Sequence, residues 1–408
     1  MAILHLTRTL PALLPRYVTR FSCIGPACED TCCSGWTVSL DKKTFTAYRA
    51  SKHPELSKTF STSLRRQDSQ QGDLNYGKVD SHGKDDRCPM MQDGLCSVQI
   101  HLNESYLSNT CFSYPRISAN FSGQVQQALQ LSCPEAARQA LLAPDAFDFI
   151  EGSITERPDA IQQVDADDGT PPQLVHDVRI FCLQLMRTEG MELWERLALL
   201  GVFCERLATT SADGITALLD EFAHLVNSGA VLDALRDLQP NHPAQALVFA
   251  TLWSSKESPG RTERQREVIG MVARNLGADD DSGVAHIDAL VARYTAGVLR
   301  LPQALEAAPH LLEHFVLNEM FMHLFPFDQS NPYDCYLELV SRYGLLRMML
   351  AAQCAAGGAL PDSEALVKTV PVFCRRFSHD PNFSPKVNQA LKNSGWDPLD
   401  KLYGFLRH

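Results

Sequence analysis

The sequence of 408 residues contains no uninterrupted apolar stretch near the roughly 20 residues that a membrane-spanning helix requires. It is also short of basic charge, because 37 Lys and Arg face 48 Asp and Glu, for a formal net charge of −11. A general nucleic-acid binder needs a basic surface that displaces phosphate counterions. The lack of a long apolar stretch argues against membrane insertion, and the shortage of basic charge argues against nucleic acid as a partner.

The shortage of basic residues is uneven along the chain. Residues 1–150 carry 15 Lys and Arg against 14 Asp and Glu, so residues 151–408 carry 22 against 34. An acidic surface favours a cationic partner or a basic side chain as substrate, although the same charge also serves solubility. With 45% hydrophobic residues the chain can bury a core, which excludes global disorder.

Several common catalytic motifs are missing from the sequence, among them the P-loop, GxSxG and HExxH. His310 and His314 share one helical face at i, i+4, but no carboxylate motif accompanies them. The first residues do not resemble a secretory signal, since Arg8 interrupts the apolar run and prolines punctuate it. We therefore expect a cytoplasmic protein whose thiols are reduced.

Cysteine is the abundant residue type that carries information. Eight of the 13 cysteines lie between Cys23 and Cys133, and the other five are scattered singly among apolar residues. Clustered thiols let one loop wrap a metal, whereas isolated ones behave as small hydrophobes in a core. Thiolate ligands suit zinc or an iron–sulfur cluster. The adjacent pair Cys32-Cys33 and the absence of CxxC favour the cluster, with zinc and unmetallated thiols as the alternatives.

The predicted metal ligands come from four separate stretches of the first third of the chain. They are Cys28, Cys32, Cys33, Cys88, Cys96 and Cys111, with Cys23 and Cys133 ranked lower.

The predicted fold class is mostly α, with a Cys-rich, irregular N-terminal metal-binding module followed by an all-helical domain. The predicted ranges are 1–150 for the iron–sulfur or zinc module, 151–173 for a possible linker and 174–408 for the helical domain. WTVSL, after the first cysteines, is the best strand candidate. Ten segments from residue 174 onward place apolar residues at helical steps, from LVHDVRIFCLQLMRTEG to SPKVNQALKNSG.

Four blocks of the N-terminal third carry a family resemblance. They are FSCIGPACEDTCCSGW, CPMMQDGLC, LSNTCFSYPR and LSCPEAAR, in this order. Together they resemble the flagellin lysine-N-methylase (FliB) family. The resemblance implies methyl transfer from S-adenosylmethionine to lysine side chains of flagellin, and an iron–sulfur cluster of the 4Fe-4S type in the Cys-rich module. The alternative is a non-catalytic zinc- or iron-binding module on a helical adaptor protein.

Methylation of lysine requires a neutral amine, and an ordinary lysine pKa near 10.4 leaves about one amine in a thousand neutral at pH 7. A base or a desolvating pocket is therefore needed. Acidic residues near the four blocks are weak catalytic candidates, with caps or solvated faces as their other roles: Glu29, Asp30, Glu104 and Glu135. Weak candidates for the methyl donor are Trp36 and Tyr114, which can wall a lysine channel or sandwich adenine, and Arg116, which can pair with a carboxylate.

A doubly wound methyltransferase holds its donor at a Gly-rich turn between a strand and a helix. The sequence offers only Gly357-Gly358, which follows a helical pattern without a preceding strand and therefore indicates a helix stop. This common methyltransferase fold is thus disfavoured.

Overall fold

A computed structural model describes residues 3–67, 72–81, 86–164, 170–229, 235, 237–254, 260–279, 285–328, 331–380 and 382–407. The chain forms two compact units. The N-terminal unit comprises Met1–Gln139, Asp148–Val164 and Ser258–Glu267. The C-terminal unit comprises Ala140–Phe147, Asp165–Glu257 and Val268–His408.

All strands among the described residues belong to the N-terminal unit. They are β1 Arg8–Pro15, β2 Ser39–Leu40, β3 Leu64–Arg66, β4 Gly77–Val79, β5 Met91–Gln92, β6 Leu95–Cys96, β7 Arg116–Phe121, β8 Gln124–Leu129, β9 Phe149–Glu156 and β10 Ile161–Val164.

The helices extend along the whole chain. They are α1 Arg16–Arg20, α2 Lys42–Ala50, α3 Ser57–Ser63, α4 Ser97–Leu102, α5 Asn109–Ser113, α6 Pro134–Leu141, α7 Pro172–Leu185, α8 Leu193–Leu207, α9 Ile215–Ser228, α10 His242–Ser254, α11 Glu263–Asn275, α12 Ile287–Leu305, α13 Leu311–Met322, α14 Pro332–Ala355, α15 Ser363–Phe373, α16 Phe383–Ser394 and α17 Leu399–Leu406.

A five-stranded mixed sheet organises the N-terminal unit, in the order β10-β7-β8-β1-β9. Strands β7 and β8 form a hairpin whose turn is Ser122-Gly123, both at positive φ (47° and 89°). Two such residues make a type I′ turn, whose twist matches that of the flanking strands. A second sheet, β2-β4-β3, is antiparallel and small.

The N-terminal unit is more regular than its sequence predicts, and the expectation of an irregular module is wrong for its sheet. The segment RTLPALLP forms β1 although prolines interrupt it. Proline lacks the N–H that a ladder needs, but β1 pairs with β8 through one residue pair only, Leu13 with Gln126. Its long partner is β9. The WTVSL candidate contributes only the short β2.

The segment 151–173, for which the composition predicts a possible linker, contains most of β9, all of β10 and the beginning of α7. Strand β9 pairs antiparallel with β1 along eight residue pairs, and β10 pairs parallel with β7. Residues 151–156 and 161–164 therefore belong to the sheet, and residues 165–169 lie outside the described residues.

The C-terminal unit confirms the prediction of a mostly helical chain. Its central helix, α14, is buried along almost its whole length. Gly297 on α12 allows close approach to α14, because a Cβ there would lie 2.2 Å from the carbonyl oxygen of Ala351. Gly344 on α14 likewise leaves room for the ring of Phe249. Small residues thus set the spacing of the central helices.

A buried arginine joins α14 to the last helix. Arg347 is fully buried, and its guanidinium donates hydrogen bonds to the carbonyl oxygens of Phe405 and Leu406 at the end of α17. These carbonyls have no partner within their own helix, so the guanidinium satisfies acceptors that the helix end leaves open. Within the described ranges, no helix has both the length and the apolar character that crossing a bilayer requires.

Candidate functional site

A tight hairpin organises the second cysteine block. Strands β5 and β6 pair with Met91 opposite Cys96, and the turn between them is Asp93-Gly94, at φ 50° and 77°. This residue pair is the preferred type I′ turn. The Met91 N–H also donates to the Cys88 carbonyl oxygen at 2.9 Å. The spacing CPMMQDGLC therefore folds back on itself and brings Cys88 and Cys96 near each other.

The first cysteine block packs on this hairpin. The Cys88 N–H donates to the Cys33 carbonyl oxygen at 2.8 Å. A Cβ on Gly94 would lie 3.4 Å from the Cβ of Pro26, so the loop before Cys28 lies against the turn. One backbone hydrogen bond and one packing contact thus join the two blocks.

The third and fourth blocks are positioned by helix starts. Ser108 caps α5, and its hydroxyl accepts a hydrogen bond from the Cys111 N–H at 3.2 Å. Cys133 directly precedes α6, whose first residue is Pro134 as the sequence predicts. Each of these cysteines therefore lies at or near a fixed helix N-terminus.

Electrostatic interactions show which thiols are neighbours. Cys88 interacts with Cys32, Cys96 and Cys111, and Cys111 also interacts with Cys32 and Cys96. Cys133 interacts with Cys28 and Cys32. Six of the eight predicted ligands thus share one region of the N-terminal unit, which we call the thiol group: Cys28, Cys32, Cys88, Cys96, Cys111 and Cys133.

The thiol group contains no disulfide, and four of its six thiols have raised pKa values. All 13 cysteines lie within the described ranges, and each is a thiol outside any disulfide. Burial raises the pKa of the Cys88 thiol to about 12 and that of Cys133 to about 11. Metals bind the thiolate, so ligation here would release protons. Cys23 is exposed, and Cys33 contributes its backbone carbonyl.

By its chemistry the donor set fits a thiophilic metal or an iron–sulfur cluster. Its geometry is not that of a formed site, because among the described residues no three His, Cys, Asp or Glu side chains are arranged to hold a metal ion. The sulfurs are gathered but do not converge, and the metal ligands stay a prediction.

The four acidic candidates differ in their surroundings. Glu29 and Glu135 form ion pairs, Asp30 is buried, and Glu104 is exposed. Arg138 forms ion pairs with Glu29 and, at 2.9 Å, with Glu135. Asp30 is buried at 6% exposure. Glu104 is exposed in a short turn, where its backbone carbonyl accepts a hydrogen bond from Arg157. The structure joins Glu29 and Glu135 through one guanidinium, which neutralises part of their charge.

The aromatic candidates do meet. The rings of Trp36 and Tyr114 are 5.4 Å apart between centroids and tilted. The Trp36 indole N–H donates to the Cys32 carbonyl oxygen, and the Tyr114 hydroxyl lies 3.1 Å from the Ser132 hydroxyl. The pair therefore borders the thiol group. Arg116 begins β7, with its guanidinium 5.4 Å from the Phe21 ring centroid.

Sequence reasoning missed Tyr48, which lies beside the thiol group. Its hydroxyl donates to the Tyr106 carbonyl oxygen at 2.7 Å, and its ring stacks on Phe60 at 4.3 Å. Burial, and then the neighbouring thiols Cys111, Cys96 and Cys88, hold its pKa well above the ordinary value. The sequence signal that could have identified Tyr48 is its i, i+4 spacing from Thr44, which places both residues on one face of α2.

Comparison with known proteins places the chain in a family. Residues 179–405 match the model of the FliB lysine N-methylase C-terminal domain. A "Lysine-N-methylase" of Salmonella typhimurium is 35% identical over 177 residues, covering 42% of this chain and 41% of the relative. A "Flagellar biosynthetic protein FliU" of Salmonella muenchen is 37% identical over 137 residues, covering 33% of this chain and 78% of that protein.

The aligned part thus spans less than half of the Salmonella typhimurium lysine-N-methylase. No solved structure matches the chain. The family model nevertheless covers more than half of the 408 residues. It confirms the family that the cysteine blocks of the N-terminal third predict. The chain belongs to the FliB lysine N-methylase family.

Proposed function

We propose that this protein transfers methyl groups from S-adenosylmethionine to lysine side chains of flagellin in the cytoplasm. The observation that carries the proposal is membership of the FliB family over residues 179–405. The names of two relatives support the proposal. The name "Lysine-N-methylase" supports the methylation of lysine, and the name "Flagellar biosynthetic protein FliU" supports a flagellar substrate.

Two aromatic residues of the N-terminal unit support the proposal. An ammonium must lose its proton before its nitrogen can attack the sulfonium methyl in line. The Trp36 and Tyr114 rings are 5.4 Å apart between centroids and border the thiol group, because the Trp36 indole N–H donates to the Cys32 carbonyl oxygen. An apolar wall lowers the pKa of an ammonium that enters it, because burial disfavours the charged form. We infer that these rings exclude water from the substrate amine.

An iron–sulfur cluster held by the thiol group is part of the proposal. Its soft sulfur donors suit iron, and the hairpin at Asp93-Gly94 brings two of the donors together. When bound, such a cluster supplies a Lewis-acidic iron for the donor's amine and carboxylate, or a staple that stabilises a loop-rich region. Cys28, Cys32, Cys88, Cys96, Cys111 and Cys133 are the residues proposed to hold it.

Incubation of anaerobically purified protein with flagellin and methyl-labelled S-adenosylmethionine tests the activity. We expect label on lysine side chains and mass increases in steps of one methyl group. Flagellin whose lysines have been blocked by acetylation is the matched control. No incorporation by protein that retains its iron would contradict the proposal.

A second candidate function rests on the end of α14. Gly357 and Gly358, at φ 74° and 88°, terminate this helix, which confirms the helix stop. In the described part of the C-terminal unit the only extended pairing is one isolated bridge, between Ala278 and Ala285, so no strand precedes a Gly-rich turn there. A non-catalytic metal-binding adaptor fits this observation. Calorimetric titration with S-adenosylmethionine separates the two functions, because the adaptor binds metal without binding the donor.

A further inference from the structure

One segment of the N-terminal unit is strongly basic, although the chain as a whole is acidic. Residues 42–80 carry eight Lys and Arg against four Asp and Glu, a local net charge of +4 in a chain of −11. This segment contains α2, α3, β3 and β4. A local excess of one sign of charge attracts a partner of the opposite sign.

Helix α2 carries its cations on the side opposite to its buried residues. Thr44 and Tyr48, four residues apart, are buried. Lys42 and Arg49 are exposed and share the other side of the helix with the half-buried Phe45. The cations of α2 therefore face solvent, while Tyr48 belongs to the core of the unit.

Two aromatic rings join the cations of α2 to a third cation from the small sheet. Phe45 and Tyr76 meet edge to face, with ring centroids 5.4 Å apart. The Arg49 guanidinium lies 5.7 Å from the Phe45 ring centroid. On the Tyr76 ring, the Lys42 ammonium lies 5.7 Å and the Arg66 guanidinium 3.2 Å from the centroid. Three cations thus surround two touching rings.

The small sheet extends this arrangement with a pair of like charges. Arg65 on β3 lies directly opposite Lys78 on β4, an arrangement that destabilises a sheet. Arg49 and Arg65 also donate to neighbouring carbonyl oxygens of α3, those of Ser61 at 3.2 Å and Thr62 at 2.7 Å. The like-charged pair therefore lies next to the cations of α2. We call these five cations the basic surface: Lys42, Arg49, Arg65, Arg66 and Lys78.

Nearby carboxylates neutralise only part of the basic surface. Asp73 pairs with Lys42 at 3.2 Å, and Asp80 pairs with Arg65 at 3.3 Å. Both pairs are partly exposed to solvent and therefore weak. Among the residues that the structure describes, no carboxylate pairs with the other three cations, Arg49, Arg66 and Lys78. The basic surface thus keeps three positive charges for an anionic partner.

The aromatic rings favour an acidic polypeptide over a single-stranded nucleic acid. Bases bind to such surfaces by stacking on open aromatic faces. Here the Arg66 guanidinium already covers the Tyr76 ring, and the Phe45 ring packs against Gly77. A carboxylate needs no open ring, because it pairs with the N–H groups at the edge of a guanidinium.

We propose that the basic surface binds an acidic segment of a polypeptide, and that this segment belongs to the protein whose lysine is methylated. Only the second half, the identity of the polypeptide, rests on the proposed methyl transfer. Its support is position, because Trp36, Cys88 and Cys96 pack against the same small core as Phe45. A protein held at the basic surface is therefore close to the aromatic pair beside the thiol group.

Fluorescence anisotropy on the full chain tests the first half with three labelled probes: a peptide of alternating Glu and Ala, its analogue with Gln for Glu, and single-stranded DNA of the same charge. We expect saturable binding of the acidic peptide that weakens as salt is added. The Gln analogue and the DNA should bind at least about tenfold more weakly.

Two variants locate the binding. Lys78→Glu should weaken the acidic peptide about tenfold, since the new carboxylate repels it, and Arg66→Gln about threefold. Lys78→Glu also places opposite charges across the sheet at Arg65, so the fold should be retained. Lys386→Glu, exposed on α16, changes the net charge equally and is the matched control that should leave binding unchanged.

No saturable binding of the acidic peptide, equal binding of its Gln analogue, or equal losses in Lys78→Glu and Lys386→Glu would overturn the proposal. Tighter binding of the DNA than of the peptide would overturn it in favour of a nucleic-acid surface. Circular dichroism checks the fold of each variant, and Arg66→Gln decides the question if Lys78→Glu does not fold.

Methylation assays separate the identity of the polypeptide from the binding itself. If the acidic segment belongs to the substrate, Lys78→Glu raises KM for flagellin with little change in kcat, and the acidic peptide competes with flagellin. An unchanged KM with weakened peptide binding would overturn the assignment to the substrate. Peptide binding by a protein that does not methylate flagellin would count against the proposed function and leave the basic surface standing as a docking site.

Discussion

In the C-terminal unit the five cysteines are scattered along the helices and each is at most 5% exposed. In the N-terminal unit all eight are partly or fully exposed, and six of them lie near at least one other thiol of the set. The same residue type thus has two physical roles within one chain. Buried singly, a thiol fills space as a small hydrophobe, and gathered near a surface, it is available to a metal.

The two units also differ in what stabilises them. The C-terminal unit buries long helices such as α14, with small residues at the crossings. The N-terminal unit has short strands and short helices, with a core around residues such as Tyr48, Phe60 and Leu64. A region of short elements joined by long loops gains more from a bound metal than a helical core does. We therefore expect substitutions in the two units to change different measured quantities.

The largest expected effect comes from Cys88→Ser or Cys111→Ser in the thiol group. If the thiol group binds an iron–sulfur cluster, either change lowers iron and sulfide content severalfold and abolishes methylation, because a ligand is lost. Iron and sulfide quantitation with absorbance near 400 nm on anaerobic protein measures it. Cys354→Ala in the C-terminal unit is the control and should leave the iron content unchanged. An equal iron content in the Cys88→Ser, Cys111→Ser and Cys354→Ala variants would contradict the different roles of cysteine in the two units.

Gly297→Ala tests whether the C-terminal unit depends on helix packing. The new Cβ would lie 2.2 Å from a backbone oxygen of α14, so the helices must separate. We expect the free energy of unfolding to fall by about 3 to 4 kcal/mol. Gly270→Ala on α11 is the control, because its Cβ would meet only the mobile end of Arg274. It should stabilise by up to about 1 kcal/mol, and chemical denaturation measures both.

The lowered pKa of His314 predicts how the stability of the C-terminal unit changes with pH. Burial lowers its pKa to about 4, although its Nδ1 hydrogen bond to the Ala140 carbonyl oxygen at 2.8 Å acts in the opposite direction. His310 and Arg187 lower the pKa further, and Glu313 raises it. The unfolded chain therefore binds an extra proton between about pH 6.5 and pH 4, and stability falls as the pH decreases through this window.

We expect His314 to account for a loss on the order of 2 to 3 kcal/mol between pH 6.5 and pH 4. Denaturation of the His314→Gln variant across this range should show a flatter profile than the unchanged protein. The exposed His224→Gln variant is the control and should keep the original slope. Identical slopes for all three proteins would show that another group carries the pH dependence.

The smallest effect is expected at the ion pairs of Arg138. Glu29→Gln and Glu135→Gln each remove one partly exposed pair, so stability should fall by less than about 1 kcal/mol and methylation by less than about threefold. Kinetics with flagellin measure this. A loss above about a hundredfold in one variant alone would identify that residue as a general base instead.

The sequence predicts the C-terminal unit well because helical periodicity is local. From α7 to α16, each helix follows from apolar residues at three- and four-residue steps. The last helix, α17, was missed, since its eight residues fall below the length at which such a pattern is informative. The buried state of Cys182 and Cys204 also follows from their apolar neighbours.

The N-terminal sheet is harder to predict because its pairings are long-range. Strand β1 pairs with β9 more than 130 residues later, and no local pattern specifies such a partner. Pro11 and Pro15 also make β1 hard to recognise, because proline is more typical of turns than of strands. The Ser122-Gly123 turn was a local signal that could have revealed the β7–β8 hairpin.

For the thiol group, spacing predicts which cysteines gather but not how closely their sulfurs meet. The Asp93-Gly94 turn explains why Cys88 and Cys96 are neighbours. The position of Cys133 depends on where the strands before α6 lie, which is a tertiary property.

Arg347 has a consequence for synthesis of the protein on the ribosome. Its guanidinium finds its acceptors at residues 405 and 406, almost sixty residues further along the chain. Until those residues have left the exit tunnel, the Arg347 guanidinium lacks the two carbonyl acceptors that it has in the folded unit. The docking of α17 against α14 therefore has to wait until residues 405 and 406 have been synthesised.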